Sequence, residues 1–390
     1  MKVFIIAGES SGDKLGTAMI QGLRTLVPNG VEFAGIGGAG MVGQGLSSLF
    51  PMDQISIMGI EQIIKQYSAL KRRIHQTVES ILEFQPDVLI TIDLPEFNLR
   101  VAQQVKARSA ICTVHYVAPT VWAWRPKRAA KMAPFIDQVL ALFPFEPPFM
   151  QAVGMRCDFV GHPVVTEPKA TVPQVGEFRR AQGLEGVPLL LVLPGSRRSE
   201  VSRLLPVFGQ CVARLITHNP NMRVLVPTVP AVAEQVRQAV AQWAGEPIVQ
   251  VAEDHNHATQ LAEKRIAFAA ADVALAASGT VSLELAAAGT PMVVAYDMAW
   301  LSRLIIGRML RTDTVTLVNL VSETRAVPEF IGAACTPPAI VAAIQEVWAR
   351  PEAQAFAMQD TMLKLGLGGK DPGVRAAQAV LDGLNFKPAA

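Results

Sequence analysis

The chain has 390 residues, half of them hydrophobic and 17% charged, with a formal net charge of +2. That length exceeds what one core usually serves and that apolar content excludes extended disorder, so two folded domains are expected. Near-neutral charge argues against a nucleic-acid binder, and Cys112, Cys157, Cys211 and Cys335 are too scattered for a metal site or a disulfide framework.

Residues 3–7 read as a strand running straight into the turn Gly8-Glu9-Ser10-Ser11-Gly12-Asp13, so no signal peptide is expected, and a helix follows over 15–26. The turn lacks the lysine of a Walker loop and the spacing of the dinucleotide fingerprint. Two readings stay open for it, a phosphate cradle and a loop shaping an acceptor pocket. Residues 31–36 form a second strand ending in Gly35-Ile36-Gly37-Gly38. Over 60–82, Ile60, Ile63, Ile64, Tyr67, Leu70, Ile74, Val78, Ile81 and Leu82 recur at helical spacing beside Lys65, Lys71, Arg72 and Arg73. This is either a core helix with a solvated basic face or a basic amphipathic surface resting on anionic lipid. No window offers about 18 uninterrupted apolar residues, the length of a membrane span.

Residues 87–92 are a strand with Asp93 at its carboxyl end, the edge at which open α/β sheets bind ligands. Asp93, Glu96 and Asn98 bring two carboxylates and an amide there, and the next strand, 110–114, delivers His115 and Tyr116 to the same rim. Trp122, Trp124 and Arg125 follow a proline turn; exposed they would face a sugar or an acyl chain, buried they would pack. Strands at 138–142 and 155–160 end in Phe143-Pro144-Phe145-Glu146 and Gly161-His162-Pro163. Pro163, Pro168 and Pro173, among few large apolar residues, place a linker at 166–176.

Beyond it the βα alternation restarts, with strands at 188–193, 222–227, 248–251, 272–277 and 292–295 and helices at 201–216, 231–243 and about 259–268. The turn Gly195-Ser196-Arg197 offers backbone N–H groups and a guanidinium to a diphosphate. Ser278-Gly279-Thr280 precedes a helix over 281–288, whose N-terminal N–H groups suit a phosphate. Glu284, the one charge on that helix, is placed to accept from ribose hydroxyls. The bland alternative is a capped helix with a solvated glutamate. His255-Asn256-His257 is read as incidental, since a lone HxH in a loop seldom holds a metal. The tail from Pro337 to Leu384 reads as helices.

The expected architecture is therefore α/β, two doubly wound parallel-sheet (Rossmann-like) domains facing across a cleft. The first, 1–165, takes the acceptor or lipid side, the second, 177–365, binds the nucleotide sugar, and packing of the tail, 366–390, back on the first domain is one arrangement open to it. Diphosphate donors in one half and carboxylates at strand ends in the other suit transfer from a nucleotide-activated group. Asp93 is the base candidate, and no carboxylate cluster suggests a metal. Two other classes remain, a nucleotide-sugar epimerase and a non-catalytic nucleotide-sugar-binding module.

The order of Ala7-Gly8-Glu9-Ser10-Ser11-Gly12-Asp13, Gly35-Ile36-Gly37-Gly38, Asp93-Leu94-Pro95-Glu96-Phe97-Asn98, Val121-Trp122-Ala123-Trp124-Arg125, Phe143-Pro144-Phe145-Glu146, Gly161-His162-Pro163, Leu193-Pro194-Gly195-Ser196-Arg197 and Ala277-Ser278-Gly279-Thr280 resembles the lipid-A-disaccharide synthase family, over about residues 3–330. That family consists of inverting glycosyltransferases of GT-B architecture. The resemblance implies transfer from UDP-2,3-diacylglucosamine to the 6-hydroxyl of 2,3-diacylglucosamine 1-phosphate (lipid X), giving the β-1,6 disaccharide 1-phosphate and UDP, with no cofactor or metal. It implies a peripheral enzyme on an anionic membrane surface, at the cytoplasmic face of the inner membrane; a homodimer is neither required nor excluded. Asp93 would be the base, with Glu9, Ser10, Asp13, Asn98, His115, Trp122 and Arg125 on the acceptor side. Gly195, Ser196, Arg197, Ser278, Gly279, Thr280, Glu284 and Asn319 would hold the UDP. The chain departs from the family pattern at Ala39-Gly40, at Asp297, and at Val321-Ser322-Glu323 with Arg325 displaced, which bears on donor contacts.

Overall fold

The computed structural model describes residues 1–56, 67–123, 127–251, 257–298 and 312–385. The chain forms two compact units, Met1–Thr166 with Gly368–Ala390, and Glu167–Leu367.

The first unit is built on a seven-stranded parallel sheet: β1 (Lys2–Ala7), β2 (Glu32–Ile36), β3 (Ser47–Ser48), β4 (Val88–Ile92), β5 (Cys112–Tyr116), β6 (Gln138–Ala141) and β7 (Arg156–Phe159), in the order β3-β2-β1-β4-β5-β6-β7. Every residue of β4 and β6 is buried, as expected of central parallel strands covered on both faces. One face packs Leu89, Phe97 and Val101 under the helices Tyr67–Phe84 and Pro95–Arg108, and the other packs Ile5, Met19, Leu23 and Val380 under Ser10–Leu26 and Pro372–Leu384. The strand order reverses between β1 and β4, so the turns after these two strands flank the crevice where such sheets bind ligands.

The last helix, Pro372–Leu384, lies against Ser10–Leu26 at backbone contact. A Cβ on Gly22 would meet the Gly373 carbonyl oxygen at 2.7 Å, and one on Gly373 would meet the Ala18 carbonyl carbon at the same distance. The Gln138 carboxamide donates to Ala379 O (2.8 Å), Arg375 to Phe159 O (2.8 Å) and Arg156 to Asp382 O (3.0 Å).

Residues 60–66 of the amphipathic stretch lie outside the described residues. From Tyr67 onward the helix buries Leu70, Ile74, Val78 and Ile81 and exposes Lys71 and Arg72, while the Arg73 guanidinium stacks 4.5 Å from the Phe50 ring. The proline-based linker needs correcting in part. Thr171 accepts from Gln174 N–H while the Gln174 side chain accepts from Thr171 N–H, a capping box that makes 172–176 the first half of the helix Val172–Ala181. Pro173 lies in its first turn, where the missing N–H costs nothing.

The second unit has a six-stranded parallel sheet: β8 (Leu189–Leu193), β9 (Arg223–Thr228), β10 (Ile248–Val251), β11 (Val273–Ala277), β12 (Met292–Tyr296) and β13 (Glu329–Ile331), in the order β10-β9-β8-β11-β12-β13. Its reversal falls between β8 and β11, so the turns after those strands face each other. The helix Val281–Ala288 ends at Gly289 with φ 77°, a left-handed stop that glycine adopts without strain.

Candidate functional site

In the first unit the switch-point crevice is lined by the β1 and β4 turns. Asp93 and Leu94 follow β4 with φ values of 49° and 45°, left-handed conformations that cost non-glycine residues roughly 1–2 kcal/mol each. Three contacts hold them there. Asp93 N–H donates to Tyr116 O (2.9 Å), and the buried Asn98 carboxamide donates to Ile92 O (3.0 Å) and Asp93 O (2.7 Å). Leu94 packs over Gly8, where a Cβ would lie 2.3 Å from Leu94 Cδ2. The carboxylate of Asp93 is thereby presented outward, open to solvent yet closely surrounded by protein. That surrounding desolvates it and raises its pKa above the ordinary aspartate range, against the opposing pull of the Leu94 N–H and the Arg128 charge.

Several residues expected on the acceptor side do other work. Asp13 accepts from Gly38, Gly40 and Met41 N–H at 2.8, 2.9 and 3.1 Å, so it fixes the turn around Ala39-Gly40. A Cβ on Gly40 would lie 2.6 Å from Thr17 Oγ1, which accounts for glycine here in this chain. His115 is buried, with Nδ1 2.8 Å from Thr91 Oγ1, and burial pushes its pKa down to about 4. It is a neutral core histidine, and Tyr116 beside it is buried too, so neither reaches the rim as expected. Asn98 positions the Asp93 turn from inside. Glu9 is half-buried at the N-cap of Ser10–Leu26, and Ser10 is exposed next to it. Trp124 and Arg125 lie outside the described residues.

Trp122 belongs to an aromatic cluster that the motifs conceal. Its ring meets Phe145 edge-on at 5.2 Å, Phe145 stacks on Phe143 at 5.4 Å, and Phe143 lies 5.5 Å from the His162 ring. Within this cluster Glu146, 2% exposed, accepts from Phe143 N–H (3.0 Å), and desolvation pushes its carboxyl up to about 8. The Trp122 indole N–H faces that carboxylate without meeting hydrogen-bond geometry. His162 Nδ1 accepts from Val164 N–H (3.1 Å), leaving the ring proton on Nε2, and burial lowers its pKa to about 4.

In the second unit a cavity of about 620 Å³ opens over the β8/β11 switch. Gly195, Ser196 and Arg197 from the turn after β8 and Ser278, Gly279 and Thr280 from the turn after β11 line one end of it. Gly195 has φ 105°, a left-handed conformation that strains a residue with a side chain and that glycine adopts freely. The Arg197 side chain is 69% exposed and pairs through Nη1 with Glu200 at 3.3 Å, so its guanidinium would meet an anion by sharing or leaving that pair. Glu284, in the first turn of Val281–Ala288, also lines the cavity, and Lys264 donates to both of its oxygens at 2.8 and 2.7 Å. This ion pair forms part of the wall of a second cavity of about 380 Å³ as well. Sequence reasoning missed Lys264 because its helix carries no motif.

Asn319 is not among the lining residues. It is buried, donating to Val327 O (2.8 Å) and Glu329 Oε1 (2.9 Å) and accepting from Val327 N–H (3.0 Å), so it ties a turn together inside the unit. His255 and Asn256 fall outside the described residues. Among the described residues no group of three His, Cys, Asp or Glu side chains is placed to hold a metal, and no helix is long and apolar enough to cross a membrane.

The family model described as "Lipid-A-disaccharide synthetase" matches residues 3–368. A protein from Ruegeria pomeroyi named lipid-A-disaccharide synthase is 59% identical over 384 residues, 98% of this chain and 96% of that one. Another of that name, from Rhodospirillum centenum, is 44% identical over 97% of this chain and 94% of its own. Among solved structures, a UDP-GlcNAc 2-epimerase from Neisseria meningitidis bound to UDP-GlcNAc superposes with a TM-score of 0.64 at 12% identity, covering 98% of this chain and all of that one. MurG of Acinetobacter baumannii gives 0.51 at 13% identity, covering 98% and 99%. At these identities the two structures share the fold with this chain.

Proposed function

The chain belongs to the lipid-A-disaccharide synthase family, and from that premise we infer how its own residues carry out the transfer. The reaction joins UDP-2,3-diacylglucosamine to 2,3-diacylglucosamine 1-phosphate, with inversion at the anomeric carbon and release of UDP. The observation that carries the assignment of roles is the cavity over the β8/β11 switch, where two turns and Glu284 line one wall. The turns bind the diphosphate through backbone N–H groups and the Arg197 guanidinium, and Glu284 accepts from ribose hydroxyls. Asp93 takes the proton from the acceptor 6-hydroxyl. The oxygen attacks the anomeric carbon as the bond to the diphosphate breaks, and the charge leaving on UDP is met by Arg197 and the N-terminus of Val281–Ala288. Desolvation of Asp93 strengthens it as a base relative to a fully hydrated carboxylate.

Family membership favours the transferase over an epimerase or a binding module, although the epimerase shares the fold. Acyl chains on both substrates call for work at a membrane surface, and the exposed Lys71 and Arg72 supply positive charge toward anionic lipid. The test is UDP release by the purified protein with donor alone and with donor plus acceptor, each in EDTA. Release that needs acceptor and survives EDTA supports the scheme. Release without acceptor would replace transfer by hydrolysis or epimerisation.

A further inference from the structure

The smaller cavity of the second unit has no part in the transfer and carries its own chemistry. Its walls come from the segment before Val172–Ala181 and from the helices His257–Ala270, Val281–Ala288 and Glu352–Lys364. Its volume of about 380 Å³ falls in the usual range of small-molecule sites, about 300–1,000 Å³. The apolar part is Phe268, Met358 and Met362, each at most 3% exposed. The polar part sets three cations, Lys169, Lys264 and Arg265, against two carboxylates, Glu167 and Glu284. Lys264 is taken up by Glu284, whereas Lys169 and Arg265 have no ion-pair partner among the described residues.

The surface beside this cavity is apolar as well. Six large apolar side chains are exposed among the described residues, and three of them, Val172, Phe356 and Leu363, stand within two positions of a lining residue. Phe356 and Leu363, 71% and 56% exposed, lie two turns apart on one face of Glu352–Lys364. Exposed hydrocarbon gathered beside a concave site marks a place where something apolar binds. Two methionines in the wall suit a flexible chain, because their thioethers repack around irregular shapes. Two unpaired cations next to that hydrocarbon call for a ligand that is anionic at one end and apolar at the other.

We propose that this cavity binds a single-chain lipid phosphate, its chain on Phe268, Met358 and Met362 and its phosphate on Lys169 and Arg265, and that its occupancy weakens binding of the nucleotide sugar. The acceptor candidates all lie in the first unit, so this is a second lipid site. The two cavities share Leu261, Lys264, Phe268 and Glu284, so one layer of side chains separates them. Lys264 donates to both Glu284 oxygens and holds the carboxylate that serves the ribose. A phosphate on Arg265, the next residue along, competes for the Lys264 ammonium and loosens Glu284. It also places negative charge behind a wall whose other side receives a diphosphate, and like charges repel across it. Both effects have the same sign, and by linkage the nucleotide weakens the lipid phosphate by the same factor. The coupling rests on the nucleotide reading of the larger cavity; the lipid-phosphate site does not.

The test is calorimetry on the full chain with four probes: dodecyl phosphate below its micelle concentration, dodecanol without the charge, inorganic phosphate without the chain, and vesicles of phosphatidylcholine and phosphatidic acid. Dodecyl phosphate should bind and the other three should not match it. At saturation it should weaken UDP about fivefold, a usual size for coupled sites. Met358→Trp, which fills the apolar end, and Arg265→Ala, which empties the polar end, should each weaken dodecyl phosphate by about tenfold. Both should leave UDP affinity in its absence within about twofold. Arg265→Ala alone decides the matter if the tryptophan variant does not fold. Absent binding, an equal response to dodecanol or to phosphate, binding to vesicles only, or variants that bind as the wild type does would overturn the site. Binding that leaves UDP affinity unchanged would overturn the coupling. A wild type that binds dodecyl phosphate but not UDP would support the site and overturn the nucleotide reading, and the coupling with it.

Discussion

Replacing Asn98 by alanine tests whether the Asp93 turn is held by force. Two consecutive left-handed residues, Asp93 and Leu94, store about 2–4 kcal/mol between them. The Asn98 carboxamide opposes that with two hydrogen bonds, 3.0 and 2.7 Å long, to the carbonyls of Ile92 and Asp93, worth about 1–3 kcal/mol together. Strain and restraint are of the same size, so removing the restraint lets the turn relax. The expected loss is about 1–3 kcal/mol, which at 2–4 °C per kcal/mol for a domain of 150–250 residues lowers the melting temperature by roughly 2–12 °C. Because Asp93 keeps its carboxylate but loses its placement, kcat for acceptor-dependent UDP release should fall about tenfold with the donor KM unchanged. Asn98→Asp should be worse, since it sets a carboxylate against two carbonyl oxygens. An Asn98→Ala enzyme that melts early yet turns over within twofold of wild type would refute the idea that this amide positions Asp93.

Three further outcomes are expected. Asp93→Asn, which tolerates the left-handed backbone, should keep the melting temperature and lower kcat at least about 10²-fold; in the wild type kcat/KM should fall on acidification with a midpoint above the ordinary aspartate range, as the base protonates. Glu284→Gln and Lys264→Met should each raise the donor KM about tenfold with kcat little changed, and leave stability nearly untouched, because both side chains are about a third exposed and such pairs contribute little to folding. Glu146 keeps its proton up to about pH 8 in the folded protein and only to about 4.5 when unfolded, so its contribution is full below pH 4.5 and declines as pH rises to 8. Melting temperatures measured from pH 5 to 8 should therefore decline less steeply in Glu146→Gln than in the wild type, and parallel curves would disprove the shift.

The features legible in the sequence are those that repeat locally. Apolar runs such as 188–193, short and bounded by proline and glycine, read as buried parallel strands, and glycine turns after β1, β8 and β11 mark where each sheet reverses. Asp93 was found because a carboxylate directly after such a run must lie at the ligand edge. Side-chain direction was not legible: His115 ends its strand as promisingly as Asp93, but points into the core and meets Thr91. Asp13 and Asn319 carry the right chemistry for a site and spend it on backbone groups distant in sequence, Gly38 to Met41 and Val327. Lys264 and Arg265 escaped for the converse reason, since nothing local distinguishes a lysine or arginine that only tertiary packing brings to a cavity wall.

The docking of Pro372–Leu384 on Ser10–Leu26 has a consequence for biosynthesis. The first unit is discontinuous, and residues 167–367 are an insertion within it. On the ribosome the inserted unit is complete while the first still lacks a helix, and Ile20, Leu23 and Ala18 wait with their apolar side uncovered until residues 372–384 emerge. The N-terminal half therefore finishes folding last, and a chain cut before Pro372 would harm the domain that was made first.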